Sequence, residues 1–200
     1  VLVSSDPVMV PTFADIDNDN DLDFFTGNAV GTVTLYENVG FENNIPLFQF
    51  TSSYWEEIYI VGSSLEERHG ASAITFIDLD NDNDLDLTWG DYFQQSLYVI
   101  LNEGNINNPN MNIENIVQQF PLNDPVLTAG FNMPSFSDID NDGDEDLFVT
   151  VLSGAYGYQL INNFILYEME DDYIYQTSNF IESLDVLSDI NPVFCDIDSD

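Results

Sequence analysis

Lysine is absent from these 200 residues, and arginine, histidine and cysteine occur once each, as Arg68, His69 and Cys195. Nucleic acid and anionic membrane surfaces both demand basic patches, so a single guanidinium excludes them as partners. One cysteine cannot form an internal disulfide, and it leaves the redox compartment open. Nucleophile–base catalysis has almost nothing to work with, because Cys195 lies far along the chain from the one imidazole. No run approaches the roughly 18 uninterrupted apolar residues of a spanning helix, so no membrane insertion is expected within this segment. No Asn-x-Ser/Thr sequon occurs, which removes that route to N-glycosylation. Nor does any stretch sustain a 3.6-residue hydrophobic period; residues 93–101 come nearest.

What the chain has instead is acid and apolar area. It carries 37 aspartates and glutamates, for a formal charge of −36, alongside 44% hydrophobic and 14% aromatic residues. That much apolar surface is enough to build a core, which rules out a disordered acidic tail. A folded chain with this balance needs cations from outside itself.

The acids are concentrated in a repeat. Phe13–Ala14–Asp15 runs into Ile16–Asp17–Asn18–Asp19–Asn20–Asp21–Leu22–Asp23. Phe76–Ile77–Asp78 runs into Leu79–Asp80–Asn81–Asp82–Asn83–Asp84–Leu85–Asp86, and Phe136–Ser137–Asp138 into Ile139–Asp140–Asn141–Asp142–Gly143–Asp144–Glu145–Asp146. A fourth copy opens at Phe194–Cys195–Asp196 with Asp198 and Asp200. The leading aspartates recur at intervals of 63, 60 and 58 residues. Weaker echoes keep similar offsets: Leu35–Tyr36–Glu37 against Leu166–Tyr167–Glu168, and Asn38–Val39–Gly40 against Asn102–Glu103–Gly104. The units are 8–70, 71–130, 131–188 and a truncated 189–200.

Each unit reads as strands. β-branched and aromatic runs lead into the acidic loop and leave it, at Phe24–Phe25, Leu87–Trp89 and Leu147–Val151. A third run follows at Thr32–Tyr36, Leu97–Leu101 and Phe164–Tyr167, and a fourth at Phe48–Thr51, Ile113–Val117 and Tyr173–Gln176. Gly27, Gly31, Gly40, Gly90, Gly104 and Gly154 punctuate them as turn residues. The expected class is all-β, with about 60 residues and four antiparallel strands per unit, as in a β-propeller blade. A solenoid or an array of small β-modules also satisfies the spacing.

Carboxylates at every second position have two explanations. On an extended strand they form one charged face with severe repulsion between like charges. In a tight loop, side chains at positions 1, 3 and 5 converge, position 7 offers its backbone carbonyl, and position 9 closes the cage. Oxygen ligands in that number suit Ca²⁺, which takes 6–8 of them, better than Mg²⁺, which keeps its waters. Two unit charges about 5 Å apart repel by roughly 3 kcal/mol at an effective dielectric near 20, so such a loop opens unless a cation sits inside. Position 6 is Asn20, Asn83 and Gly143, residue types that tolerate a left-handed backbone. An EF-hand is excluded, since position 12 is Thr26, Trp89 and Val149 rather than glutamate, and the flanks read as strands.

On these loops and their flanks the chain resembles the FG-GAP or VCBS-type repeat of integrin α-subunit propellers and many bacterial surface and secreted proteins. The resemblance spans three consecutive units and the opening of a fourth. It implies a propeller, commonly seven-bladed, with Ca²⁺ in the loop joining the first two strands of each blade. By position it implies ligands Asp15, Asp17, Asp19 and Asp23 with the carbonyl of Asp21; Asp78, Asp80, Asp82 and Asp86 with that of Asp84; and Asp138, Asp140, Asp142 and Asp146 with that of Asp144. Asp196, Asp198 and Asp200 supply positions 1, 3 and 5 of a fourth, incomplete site. Asparagine replaces the usual glycine at position 6 in two of the loops. Three blades do not close a ring, so the segment is expected to belong to a longer protein or an assembly.

The function expected is non-enzymatic: a calcium-stabilised, extracellular or cell-surface propeller segment with a structural, adhesion or assembly role, including a filament or sheath. Its partners would be protein or glycan at the cell surface, or copies of itself. A lectin-like module, with Trp55, Trp89, Tyr54, Tyr92 or Tyr98 stacking on sugars, is the alternative, as is the non-catalytic part of a secreted polysaccharide-degrading enzyme. Arg68 and His69 are expected to pair with Glu66 or Glu67 at the surface, and Cys195 to be a small buried hydrophobe.

Overall fold

The computed structural model describes residues 3–60, 71–161, 163–181 and 191–195. In chain order the strands are β1 (Met9–Val10), β2 (Thr12–Ala14), β3 (Asp23–Gly27), β4 (Val33–Glu42), β5 (Ile45–Ser52), β6 (Ser72–Ile77) and β7 (Asp86–Asp91). They continue with β8 (Leu97–Ile100), β9 (Asn132–Ser137), β10 (Asp146–Val151), β11 (Ser153–Gly154), β12 (Gly157–Tyr158), β13 (Phe164–Met169) and β14 (Tyr173–Thr177). Helix is limited to two 3₁₀ turns among the described residues, Trp55–Glu57 and Ile113–Asn115. None of these is long and apolar enough to cross a membrane.

Three four-stranded sheets result, in the orders β2-β3-β4-β5, β1-β6-β7-β8 and β9-β10-β13-β14, with β11 and β12 as a separate hairpin. None is closed into a barrel. All neighbours are antiparallel except β1 and β6, which run parallel with Met9 opposite Ser72 and Val10 opposite Ala73. Each acidic run joins the first antiparallel pair of its sheet. The register sets Asp23 opposite Ala14, Asp86 opposite Ile77 and Asp146 opposite Ser137, so every loop is closed by its ninth residue.

The sheets pack face against face. Between the first and second lie Phe25, Val33, Leu35, Ile74, Leu87, Trp89 and Ile100, with Trp55 over them. The Phe25 and Phe76 rings meet across this interface at 4.6 Å. Leu97 and Val126 pack on Leu147, Val149, Ile165 and Tyr167 of the third sheet. Being covered on both faces, β7 and β10 are buried along their whole length, so that Thr88, Asp91 and Thr150 are buried with their apolar neighbours.

The second unit departs from the four-strand expectation. Its Ile113–Val117 run makes a 3₁₀ turn and one bridge, Val117 to Val99, in place of a fourth strand. The reason is local. Asn102 Oδ1 accepts the N–H groups of Gly104 and Asn110, Asn112 caps the turn through Glu114, and Glu103 accepts from the Asn112 and Asn115 amides. Side-chain hydrogen bonds of this kind compete with a sheet ladder.

Four glycines expected in turns, Gly27, Gly40, Gly90 and Gly154, lie instead in strands. A Cβ on Gly90, inside β7, would stand 1.7 Å from the carbonyl oxygen of Asn132, and one on Gly27 would stand 2.1 Å from Ser72 Oγ. Close approach between sheets, of backbone at Gly90 and of the Ser72 side chain at Gly27, calls for glycine at these two positions. Cys195 also departs from expectation: it is exposed, because residues 191–195 form no strand that would enclose it.

Among the described residues, no sheet packs on one face of the first sheet. Phe13, Phe24, Tyr36 and Phe48 form a ring cluster there, with Phe13 and Phe24 at 5.3 Å. Phe13 is 55% exposed, Phe41 65% and Phe50 50%.

Candidate metal centres

Within each acidic loop the first aspartate organises the turn. Asp15 accepts the N–H groups of Asp19 and Asn20, each at 3.0 Å, through its two carboxylate oxygens. Asp78 does the same for Asp82 and Asn83, and Asp138 for Asp142 and Gly143. The fifth residue then accepts from the seventh, in the pairs Asp19–Asp21, Asp82–Asp84 and Asp142–Asp144. Position 6 is left-handed as its residue types suggested, with φ of 70° at Asn20, 73° at Asn83 and 103° at Gly143. Position 4 is left-handed as well, at Asn18, Asn81 and Asn141. Asparagine stands there in all three loops, a signal that would have marked the second reversal.

The ninth aspartate has a different task. Asp86 is buried and accepts from Leu79 N at 2.8 Å and from Asn102 N at 2.7 Å, tying its own loop to the residues after β8. Asp146 likewise accepts from Ile139 N and Met169 N. Asp23 accepts from Asn38 N. The backbone donors Asn38, Asn102 and Met169 belong to this machinery, although nothing in the repeat's acidic core points to them.

The carboxylates converge. Oxygens of Asp15, Asp17 and Asp19 lie within 4.8 Å of one another, as do those of Asp138, Asp140 and Asp142. In the second loop the group is Asp78, Asp80 and Asp86. Asp82 is not in that group, and neither Asp23 nor Asp146 joins the group of its own loop. Asp196, Asp198 and Asp200 lie outside the described residues, as do Arg68 and His69.

No lysine, arginine or histidine stands among the described residues to balance this charge. At an effective dielectric near 20, like unit charges 4.8 Å apart repel by about 3 kcal/mol before solvent screening reduces it. Several such pairs compare with the 5–15 kcal/mol that holds a typical domain together. The strain shows in the carboxyl groups themselves. Burial pushes Asp86 up to about 7, against two backbone N–H donors that favour its charged form. Burial, then the charge of Asp82, pushes Asp84 up to about 6, with Asp80 and Asp78 adding to it. Burial also raises Asp23 to about 6. Asp21, Asp80 and Asp140 are raised for the same combination of desolvation and neighbouring aspartates.

Three of these oxygens, Asp17 Oδ1, Asp21 Oδ1 and Asp84 Oδ1, are buried with no hydrogen-bond partner. An orphaned buried carboxylate oxygen is costly, and in a cluster of hard oxygens a metal cation is the group that satisfies it. The donor sets therefore fit a metal ion. Acids from the third strand stand near two of the loops: the charge of Glu37 reaches Asp21, and Glu168 feels Asp140.

No protein-family model, no curated protein and no solved structure matches this chain. Three clusters of aspartates able to hold a metal ion, on an all-β stack of four-stranded sheets, are what the chain itself provides.

Proposed function

We propose that each acidic loop holds one Ca²⁺ and that the chain is a calcium-stabilised β-propeller segment with a structural, adhesion or assembly role at the cell surface. The observation that carries this is the set of unpartnered buried oxygens on Asp17, Asp21 and Asp84 in loops where carboxylates crowd within 4.8 Å. Mutually repelling acids with no cationic side chain among the described residues favour a divalent ion, and an all-oxygen donor set favours calcium. Face-to-face four-stranded sheets, each with the ion loop joining its first antiparallel pair, resemble the arrangement a propeller blade uses. Sites of this type fill where free Ca²⁺ is high, which points outside the cell. The ion acts here as part of the fold, and the proposed role is not enzymatic.

Thermal unfolding with and without calcium tests this. A ligand present at 1,000 times its dissociation constant stabilises by about 4 kcal/mol per site, so chelation should lower the melting temperature markedly. A melt indifferent to chelator, together with vacant loops in a crystal grown in millimolar calcium, would remove the proposal.

A cleft favours a second function, binding of a neutral glycan. Tyr59, Phe93, Tyr98 and Tyr156 line a space of about 410 Å³ with the amides of Gln94 and Gln118. Aromatic faces with a few polar groups suit sugars, and a chain of charge −36 repels acidic ones. Of the aromatics expected to serve, Trp55 and Trp89 are buried between sheets and offer no rim. A glycan array on the wild type and a Tyr156→Ala variant would decide it, since no signal, or an unchanged one, excludes this cleft.

A further inference from the structure

We infer that the second loop, Asp78–Asp86, is the high-affinity site and fills first, because two buried carboxylates, Asp84 and Asp86, take part in it in a way their counterparts do not. This rests on the loops binding a divalent cation at all, as proposed above.

Three observations separate this loop from the others. Its converging oxygens include Asp86, whereas the first and third loops bring together only positions 1, 3 and 5. Asp84 is 3% exposed with Oδ1 unpartnered; Asp21, whose Oδ1 is unpartnered too, and Asp144 are only half-buried at the same position, so the second loop differs in the depth of its seventh residue. Leu85 packs against the core between the first and second sheets, where Leu22 is exposed and the third loop carries Glu145. The second loop thus offers a donor set drawn partly from inside the protein, held by backbone hydrogen bonds before any ion arrives. Charge attraction is stronger and less screened by salt at such a site, and a pre-positioned ligand loses little freedom on binding. The first and third loops gain charge from Glu37 and Glu168, but both acids are only half-buried and neither joins the converging oxygens, so they act from a distance at which screening weakens them.

Asp86 also makes this site the one wired to the sheet. An ion on its carboxylate pulls on the same group that holds Asn102 N, and Asn102 in turn holds Gly104 and Asn110. Asp86 is a positioning residue as well as a ligand.

The test is a calcium titration of the intact chain, followed by calorimetry and by amide NMR, on wild type and on Asp15→Asn, Asp78→Asn, Asp84→Asn and Asp138→Asn. The expected result is one tight and two weaker phases, with the Asn102 amide shift complete after the first equivalent. Asp78→Asn and Asp84→Asn should weaken the tight phase on the order of 10- to 100-fold, the scale on which metal sites respond to an altered surrounding side chain. Asp15→Asn and Asp138→Asn should leave it unchanged. Three equal phases, a tight phase that survives Asp84→Asn, or one removed by Asp15→Asn would overturn the hierarchy while leaving calcium binding intact. No heat and no shifts at millimolar calcium would overturn both.

Discussion

The carboxylate of Asp86 accepts the backbone N–H of Asn102 at 2.7 Å, joining an acidic loop to a residue on the far side of two strands. The same oxygen pair takes the N–H of Leu79. A single buried side chain therefore closes its hairpin and anchors the stretch that follows β8.

Removing that carboxylate should cost stability whether or not calcium is present. Asp86→Ala strips a buried N–H group, that of Asn102, and a half-buried one, that of Leu79, of their carboxylate partner, at about 1.5–3 kcal/mol per hydrogen bond. Asp86→Asn is expected to fare little better, because its amide nitrogen would face one of the two donors. Urea unfolding in chelator and in calcium checks this; a loss seen only with calcium would show that the clamp is unimportant to the fold.

Acid should stabilise the cation-free protein. Asp86 titrates near 7 and Asp23 and Asp84 near 6 in the folded chain, all above the ordinary 3.8. Between about pH 4 and 7 the folded state binds more protons than the unfolded one, so stability falls as pH rises through that window. Calcium reverses the slope, since it needs the same groups ionised. Melting temperatures of chelator-stripped and calcium-loaded protein across pH 5–8 should therefore run in opposite directions. Parallel curves would refute the link between these carboxylates and the ion.

Gly90→Ala should be among the most damaging substitutions that add a single methyl. Its Cβ would stand 1.7 Å from a backbone carbonyl that has little room to move, and overpacking of this kind costs about 3 kcal/mol. Gly143→Asn is the contrast: no atom lies within 4 Å of its Cβ, and Asn20 and Asn83 already hold the left-handed backbone in the other loops. Denaturation midpoints of the two variants should differ widely, and comparable losses would contradict the geometry.

The open aromatic face of the first sheet should make the chain self-associate as concentration rises. Apolar patches of this extent seldom stay exposed on a monomer. A Phe13→Ser, Phe41→Ser double variant should sediment as a monomer with its calcium response unchanged. Wild type that remains monomeric under the same conditions would count against this.

The repeated loops were legible because their chemistry is local: alternating carboxylates, with asparagine or glycine where the backbone reverses. The echo of Asn38–Val39–Gly40 in Asn102–Glu103–Gly104 proved to be one device used twice, an asparagine whose N–H reaches the ninth aspartate while its side chain takes the glycine N–H. Tertiary decisions were not legible. Gly90 looks the same in a sequence whether it makes a turn or admits a neighbouring backbone. The Ile113–Val117 run has strand composition, but the asparagines around it offered the backbone other partners. Burial of Asp84 beside a half-buried Asp144 depends on what surrounds each loop, which the repeat itself does not encode.

Met9 and Val10 precede the first acidic loop, yet they complete the second sheet by lying along Ser72 and Ala73. Cutting the chain at its sequence period would thus leave the middle unit with a raw inner edge, and the first unit with an orphan strand. The modules are interlocked rather than strung together, so the first two should melt as a single cooperative block.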